Sequence, residues 1–140
     1  MLTFDGSKLL VSIFQDQKYY QIEGITKTRI SLTNHYIEQV NLLDSEWKEV
    51  LEASGRSSLT IEIEGMYSNS FAEKILIINA FAKKKKQLNI SFGNEDIIKG
   101  NFFITNYYRT GNVNETETYS LILVSTAEIQ YSFDQSIKIQ

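Results

Sequence analysis

The chain has 140 residues and a formal net charge of −3, with a sequence pI near 5.2. This is the size of one ordinary domain, and the acidic balance argues against a general nucleic-acid-binding protein, which carries a basic surface. Without any Cys, disulfide frameworks and thiolate metal sites are excluded. No apolar run approaches the roughly 20 residues of a membrane span. The start of the chain shows no secretory signal pattern, so we expect synthesis in the cytoplasm.

The first third of the chain predicts β-strands followed by an irregular segment. Apolar and polar residues alternate in three strands, at 8–14, 19–22 and 25–32. A polar turn joins the first two strands, and Gly24 separates the second from the third. Residues 33–43 follow neither a helix nor a strand period. An irregular segment of that length in a small domain suggests a function.

Residues 44–55 have the pattern of a short helix. Asp44 stands at the N-cap position, and Gly55 stands where a left-handed C-terminal stop belongs. Trp47 shares a helical face with two aliphatic residues of the same segment. We therefore expect Trp47 to anchor the core or an interface.

A strand and a longer helix follow. The strand at 58–65 alternates three aliphatic residues with a polar face that carries Glu62 and Glu64. The helix at 70–82 opens with Ser70 and Glu73 at capping-box spacing. One of its faces is predicted to consist of Phe71, Ile75, Ile78 and Ala82. Further aliphatic residues make it apolar over most of its circumference, which predicts burial on more than one side.

The remainder of the chain predicts consecutive hairpin strands. Four Lys residues at 83–86 are interpreted as a solvated helix end that complements the macrodipole. The strands are predicted at 87–92, 97–108, 114–125 and 126–133, and residues 134–140 are predicted to form a C-terminal tail. Glu115 and Glu117 would share a strand face with Tyr119.

Together the elements predict a single domain over residues 1–140 that is mainly β. Strands that arrive as hairpins pair antiparallel, so we expect an antiparallel β-sandwich or partly open barrel. One substantial α-helix would flank it.

Residues suited to catalysis or metal binding are scarce. With His35 the only His and no Cys, thiol catalysis and ordinary zinc ligation lack their ligands. The carboxylate pairs at 62/64 and 115/117 could serve glycoside hydrolysis, yet the same alternation is typical of any solvated strand face. We expect no cofactor, and a structural or binding protein rather than an enzyme.

An ordered series of short motifs runs through most of the chain. In chain order the motifs are Tyr20-x-x-x-Gly24 before a Thr- and Ser-rich strand and Asn34; Asp44-Ser45 with Trp47, Leu51 and Gly55; a strand ending in Gly65; Ser70-x-x-Glu73; Gly100-x-Phe102; Tyr108-x-x-Gly111; and Thr118-Tyr119-Ser120 before Ser125-x-Ala127. Over roughly residues 8–131 this series resembles the major tail (tail tube) proteins of long non-contractile-tailed phages and gene transfer agents.

The resemblance implies a structural subunit of a phage or prophage tail tube. Sheets of six subunits would join edge to edge into a hexameric ring, and rings would stack into a conduit for DNA delivery. The partners implied are the protein itself, tape-measure and tail terminator or tip proteins, and DNA in transient, non-specific passage. The location implied is the virion tail, after synthesis in the bacterial host cytoplasm. A type VI secretion-like tube protein and a β-sandwich binding or adaptor module are the alternatives.

Two sets of residues acquire expected roles within such a tube. The segment 33–43 would be a long loop between subunits, with contacts from Tyr36, Val40, Leu42 and Leu43. A DNA conduit should be polar or acidic and poor in Lys and Arg, because each cation paired to a phosphate adds affinity. We therefore expect Glu62 and Glu64 to face the lumen first, and Glu115 and Glu117 next.

Overall fold

A computed structural model of the protein describes residues 3–35 and 56–133. Within these residues the chain forms eight strands, one α-helix and a short 3-10 helix, Gly6–Lys8. The strands are β1 (Leu10–Gln15), β2 (Lys18–Gln21), β3 (Ile25–His35), β4 (Arg56–Met66), β5 (Lys86–Ser91), β6 (Ile97–Thr110), β7 (Thr118–Ser125) and β8 (Gln130–Ser132). The helix, α1, spans Phe71–Ala82 between β4 and β5.

All the strands pair antiparallel in one sheet, in the order β2-β1-β5-β6-β7-β4-β3. The 14-residue β6 holds the sheet together. It pairs with β5 through residues 97–102, with β7 through residues 102–110 and with the short β8 through residues 97–99. The pairing with β7 shifts register between Ile104 and Asn106. Such a bulge bends a strand, so β6 belongs to two halves of the sheet.

The core lies against one face of this sheet. Alternate residues on five strands are buried and form one apolar cluster with the helix; on the strands they are Val11, Ile13, Leu59, Ile61, Ile63, Leu88, Ile90, Phe102, Ile104, Tyr119, Leu121 and Leu123. The helix packs on the same face, where the ring of Phe71 lies 4.7 Å from that of Tyr20 and the ring of Phe81 lies 6.4 Å from that of Tyr107. One 12-residue helix is too small to cover strands at both ends of the path, so the sheet curls over its own core.

The predicted fold class is confirmed by this arrangement. The described residues form a mainly antiparallel β structure, open rather than closed into a barrel, with one flanking helix. The alternation of Leu59, Ile61 and Ile63 puts them in the core as predicted. The capping box is also present, since Ser70 and Glu73 each bind the other's backbone N–H.

The predicted burial of α1 on more than one side is wrong. The helix buries Ala72, Glu73 and Leu76, whereas Phe71 and Ile78 are 49% and 54% exposed. When a helix is apolar around most of its circumference, its sequence does not determine which side packs against the sheet. Here the buried carboxylate of Glu73 fixes it, because that side chain is drawn inward by hydrogen bonds to the segment before the helix.

Two predicted boundaries also differ. Residues 33–35 continue β3 and pair with residues 56–58, so the predicted irregular segment is wrong for these three residues, and its remainder lies outside the described residues. Residues 114–117 precede β7 instead of forming its first part. Asn114 has a φ of 66°, a left-handed conformation that interrupts a strand. The predicted helix at 44–55 and the tail at 134–140 lie outside the described residues.

Gly65 occupies a position too tight for a side chain. A Cβ there would lie 2.8 Å from the carbonyl oxygen of Gly24 and 3.1 Å from Tyr119. We expect Gly65→Ala to lower the free energy of unfolding by about 1–3 kcal/mol, the usual cost of overpacking. Chemical denaturation monitored by circular dichroism measures this. Gly111→Ala is the control, since nothing lies within 4 Å of its Cβ position; equal losses in the two variants would contradict the packing argument.

Candidate assembly surfaces

The face of β3 and β4 that points away from the core carries paired charges. Nε of Arg29 lies 3.7 Å from Oε2 of Glu62, with 68% and 43% of the two side chains exposed. Lys27 stands directly opposite Glu64 in the register of the two strands. We call these four residues the charged strand face. The expected carboxylates are therefore on the surface, but basic residues balance them, so the face is polar without being acidic.

The second expected carboxylate pair lies elsewhere, in the loop between β6 and β7. Arg109 donates from Nε to Oε2 of Glu117 at 2.5 Å and from a terminal nitrogen to the hydroxyl of Tyr107 at 2.9 Å. Its guanidinium carbon lies 3.5 Å from the ring centre of Tyr67. The bonds to Tyr107 and Glu117 raise the pKa of Arg109 further above its ordinary value.

These contacts secure the loop against the end of the sheet. The carbonyl of Glu117 also accepts from the backbone N–H of Tyr67 at 2.9 Å, and the side chain of Glu115 accepts from Asn112. Tyr119, two residues after Glu117, points into the core. The structure thus places Glu115 and Glu117 outside the charged strand face. Glu117 forms an ion pair with Arg109.

Two strands end the path of the sheet. Of these, β3 has 11 residues and pairs only with β4 among the described strands. Its other edge presents backbone N–H and C=O groups, and Leu32 on this strand is 63% exposed. A long edge strand of this kind is a template for pairing with another chain.

A third surface is the side of α1 that the sheet covers only in part, where the rings of Phe71 and Phe81 each contact one sheet residue. Phe71, Ile78 and Phe81 are exposed there by 49%, 54% and 77%, and we call them the uncovered helix face. Their spacing of seven and three residues puts them on one side of a helix. The sequence predicts the apolar circumference of α1, but it does not show which of its apolar residues stay exposed.

The N-terminus of α1 contains a buried acid. Glu73 is 2% exposed; burial would raise its pKa, but hydrogen bonds from Ser68 and Ser70 outweigh this and hold the pKa below the ordinary value. The two hydroxyls donate to Oε1 at 2.6 and 2.8 Å. Burial and the nearby charge of Glu73 raise the pKa of Tyr119 well above its usual range.

Nothing among the described residues suggests a metal site or a membrane span. No group of three or more His, Asp or Glu side chains in residues 3–35 and 56–133 could hold a metal ion. None of the helices in that part of the chain is long and apolar enough to cross a membrane. A groove of about 450 Å³ lies beside the start of β3, and the ionisable side chains in its described lining are Glu23 and Lys27.

A family model described as phage tail tube protein matches residues 3–131. The chain belongs to this phage tail tube protein family. The predicted family is therefore confirmed, and with it the role of a structural tail tube subunit. No curated protein sequence matches the chain significantly.

Solved structures share the fold of this tail tube protein at low sequence identity. The tail of an empty gene transfer agent particle, solved with C6 symmetry, superposes with a TM-score of 0.81 at 20% identity, over 94% of this chain and 100% of the other. A native gene transfer agent virion gives 0.78 at 21% identity, with the same coverage. The SPP1 tail tube gives 0.71 at 10% identity, over 94% of this chain and 80% of the other.

Several residues with expected roles lie outside the described residues. They are Tyr36, Val40, Leu42, Leu43 and Trp47. Their expected roles, as inter-subunit contacts for the first four and as an anchor for Trp47, stay predictions.

Glu73 should make stability depend on pH in the acid range. Its pKa is lower in the folded state than the value of about 4.3 in an unfolded chain. The native state then binds fewer protons, so the carboxylate stabilises the fold above about pH 4.3 and loses that contribution as pH falls through the folded pKa. We expect Glu73→Gln to cost about 1–3 kcal/mol at pH 7 and much less near pH 3. Urea denaturation at both pH values measures the difference.

The matched control for this measurement is Glu128→Gln, which neutralises an exposed carboxylate. It should change stability little at either pH. If the difference in free energy of unfolding between Glu73→Gln and the unaltered protein is the same at pH 7 and pH 3, the charge of Glu73 does not stabilise the N-terminus of α1.

Proposed function

We propose that this tail tube protein closes into hexameric rings, that the rings stack into a tube, and that the tube conducts DNA. The open edge of β3 is the observation that carries the ring. An 11-residue strand with one edge that no described strand pairs is a liability in a monomer, and rotational symmetry removes it when each edge meets the next subunit. The opposite end of the sheet path, at β2, supplies a second edge. The C6 symmetry of the similar gene transfer agent tail supports six subunits.

The charged strand face is our candidate for the wall of the lumen. Each basic residue there has a carboxylate opposite it, Arg29 with Glu62 and Lys27 with Glu64. A phosphate passing over this face would meet little net positive charge, and affinity for DNA depends on the number of cations that neutralise phosphates. We base the proposal on this face rather than on the 115/117 pair, because Glu117 is already paired with Arg109.

The same proposal covers the partners and the location of the protein. A tube of this family would require a tape-measure protein and terminator or tip proteins at its ends, and would reside in the virion tail after synthesis in the host cytoplasm. A structural role of this kind requires no catalysis and no cofactor. The whole chain, residues 1–140, would act as one tail-tube domain, with the segment after β3 and the tail at 134–140 reaching neighbours.

Ring formation can be tested directly on purified protein. We expect negative-stain electron microscopy to show rings about one subunit deep, or stacked tubes, with sixfold symmetry in class averages. A protein that stays monomeric at high concentration in sedimentation velocity would instead favour the β-sandwich binding or adaptor module.

Charge reversal tests the lumen. Glu62→Lys with Glu64→Lys would leave four positive charges on the charged strand face, so we expect assembled tubes to retain DNA with a steep salt dependence. Glu95→Lys with Glu128→Lys changes net charge equally at exposed positions elsewhere and serves as the control. Nuclease-protected DNA in sedimented tubes measures the effect; equal retention by both variants would place the charged strand face outside the lumen.

Shortening the segment after β3 tests its role between subunits. Deletion of residues 36–40 should leave a folded monomer, because shortening a loop changes its closure entropy little, but should abolish tubes. Circular dichroism and microscopy measure the two properties. Replacing the same five residues with Gly and Ser keeps the length and removes the side chains. Unfolding of the deletion variant would assign the segment to the core instead.

A further inference from the structure

A row of polar side chains crosses the half of the sheet that β2, β1, β5, the start of β6 and β8 build. Strand register places one residue of each strand side by side, and directly paired residues project to the same side. We call these residues the polar row: Gln21, Ser12, Asn89, Lys99 and Gln130. Their neighbours along β1 and β5 are buried in the core, so the row faces away from it. The row contains amide and hydroxyl groups, one ammonium group and no carboxylate.

Two long side chains reach toward each other over the centre of this row. β2 and β6 are separated by three strand spacings in the order of the sheet, about 14 Å in total. Nevertheless Nζ of Lys99 on β6 lies 5.9 Å from the ring centre of Tyr19 on β2. Tyr19 also packs on Phe14, with the two ring centres 5.0 Å apart. Tyr19 and Lys99 therefore lean over the short side chains of Ser12 and Asn89, which belong to the two strands between them.

Asn89 has an unpaired acceptor in this place. Its Oδ1 atom is buried and has no hydrogen-bond partner among the described residues. Buried polar atoms are nearly always paired, so an exception calls for an explanation. A ligand that enters between Tyr19 and Lys99 could supply the missing donor. Ionised carboxylates and phosphodiesters offer acceptors only, whereas a hydroxyl group can donate.

The chemistry of this face fits an uncharged sugar. A sugar ring offers hydroxyl groups that donate and accept, and a C–H face that packs on an aromatic ring such as that of Tyr19. The polar row repeats at the strand spacing of about 4.8 Å, which is close to the advance per sugar along an extended polysaccharide. The exposed Glu128 borders the row beside Lys99, so the charge there is balanced.

Other classes of ligand fit this face less well. One ammonium group is too little positive charge for DNA, whose binding depends on several cations that neutralise phosphates. The row itself holds none of the large aromatic or Arg anchors that dominate protein interfaces. The observations therefore favour a polysaccharide over a nucleic acid or a protein.

We propose that the polar row binds a polysaccharide of uncharged sugars, with one sugar ring held between Tyr19 and Lys99 in place of their direct contact. The C–H face of the ring packs on Tyr19, one of its hydroxyls donates to Oδ1 of Asn89, and Lys99 donates to a sugar oxygen. Neighbouring sugars contact Gln21 and Gln130 along the row. This inference goes beyond the proposed function and does not depend on it, because a single chain carries the whole row.

Titration of the purified full chain with cellotetraose, maltotetraose and tetra-N-acetylchitotetraose tests the site. We expect at least one of these sugars to bind with a Kd at or below about 1 mM and to shift the side-chain amide signal of Asn89 in the NMR spectrum. Tyr19→Ala should weaken binding about tenfold, because it removes the aromatic platform. Lys99→Ala should weaken it about fivefold, because it removes a donor.

A matched variant and an anionic probe decide between the outcomes. Tyr108→Ala removes a similarly exposed ring, 51% against 43% for Tyr19, from the other half of the sheet and should bind the sugars normally. No binding of any of the three sugars up to about 10 mM, tenfold above the expected Kd, overturns the proposal. So does an unmoved Asn89 signal, or an equal loss in the two Tyr variants. Binding of heparin alone, abolished by about 0.5 M salt, would show an anion site instead.

The sugar titration and the microscopy of rings fail separately. A chain that binds a sugar but forms no rings contradicts the proposed ring and retains the sugar site. Rings that form from a chain that binds none of the three sugars contradict the sugar site and leave the ring intact.

Discussion

The bend in β6 is the constraint on which the rest of the molecule depends. This one strand pairs with β5 along its first half and with β7 along its second, and a register shift after Ile104 interrupts the pairing with β7. Without that shift the strand would stay straight and hold both partners in one flat sheet, with the apolar faces open to water. The bulge turns the second half so that Phe102 and Ile104, on the near side of it, and Tyr107, beyond it, can all face the same core.

The helix completes this core, and its rotation determines what the molecule shows to its surroundings. The hydrogen bonds from Ser68 and Ser70 hold Glu73 inside. Once that side chain is inside, Ala72 and Leu76 face the sheet, and the aromatic residues at both ends of the helix turn partly outward. A polar interaction at one helix end therefore decides which apolar residues remain available to a partner.

Much of the fold follows from periodicity in the sequence. Strand alternation such as Leu59, Ile61, Ile63 identifies core positions, because a half-buried strand requires it. The capping box is equally local, since Ser70 and Glu73 satisfy each other. These features need no knowledge of distant residues.

Other features depend on contacts that the local sequence does not contain. The burial of α1 on more than one side was mispredicted because an apolar circumference does not show which residues pack against the sheet. The place of Glu117 was mispredicted because Arg109, eight residues earlier, and Tyr67, which is distant in the chain, hold it in a loop. The balance of positive and negative charges on the charged strand face could not be predicted either. It depends on the register of β3 against β4, which places Arg29 opposite Glu62.

The strand order also determines when each part of the chain can fold during synthesis. β1 and β2 come first from the ribosome, yet the path joins them to β3 and β4 only through β5, β6 and β7. Until residues beyond 110 have emerged, the two halves are separate hairpins with apolar faces exposed. Pairing between such distant segments is slow, and exposed strand edges aggregate while they wait. The subunit that a tube needs in many copies thus acquires its core only when most of its chain has been made.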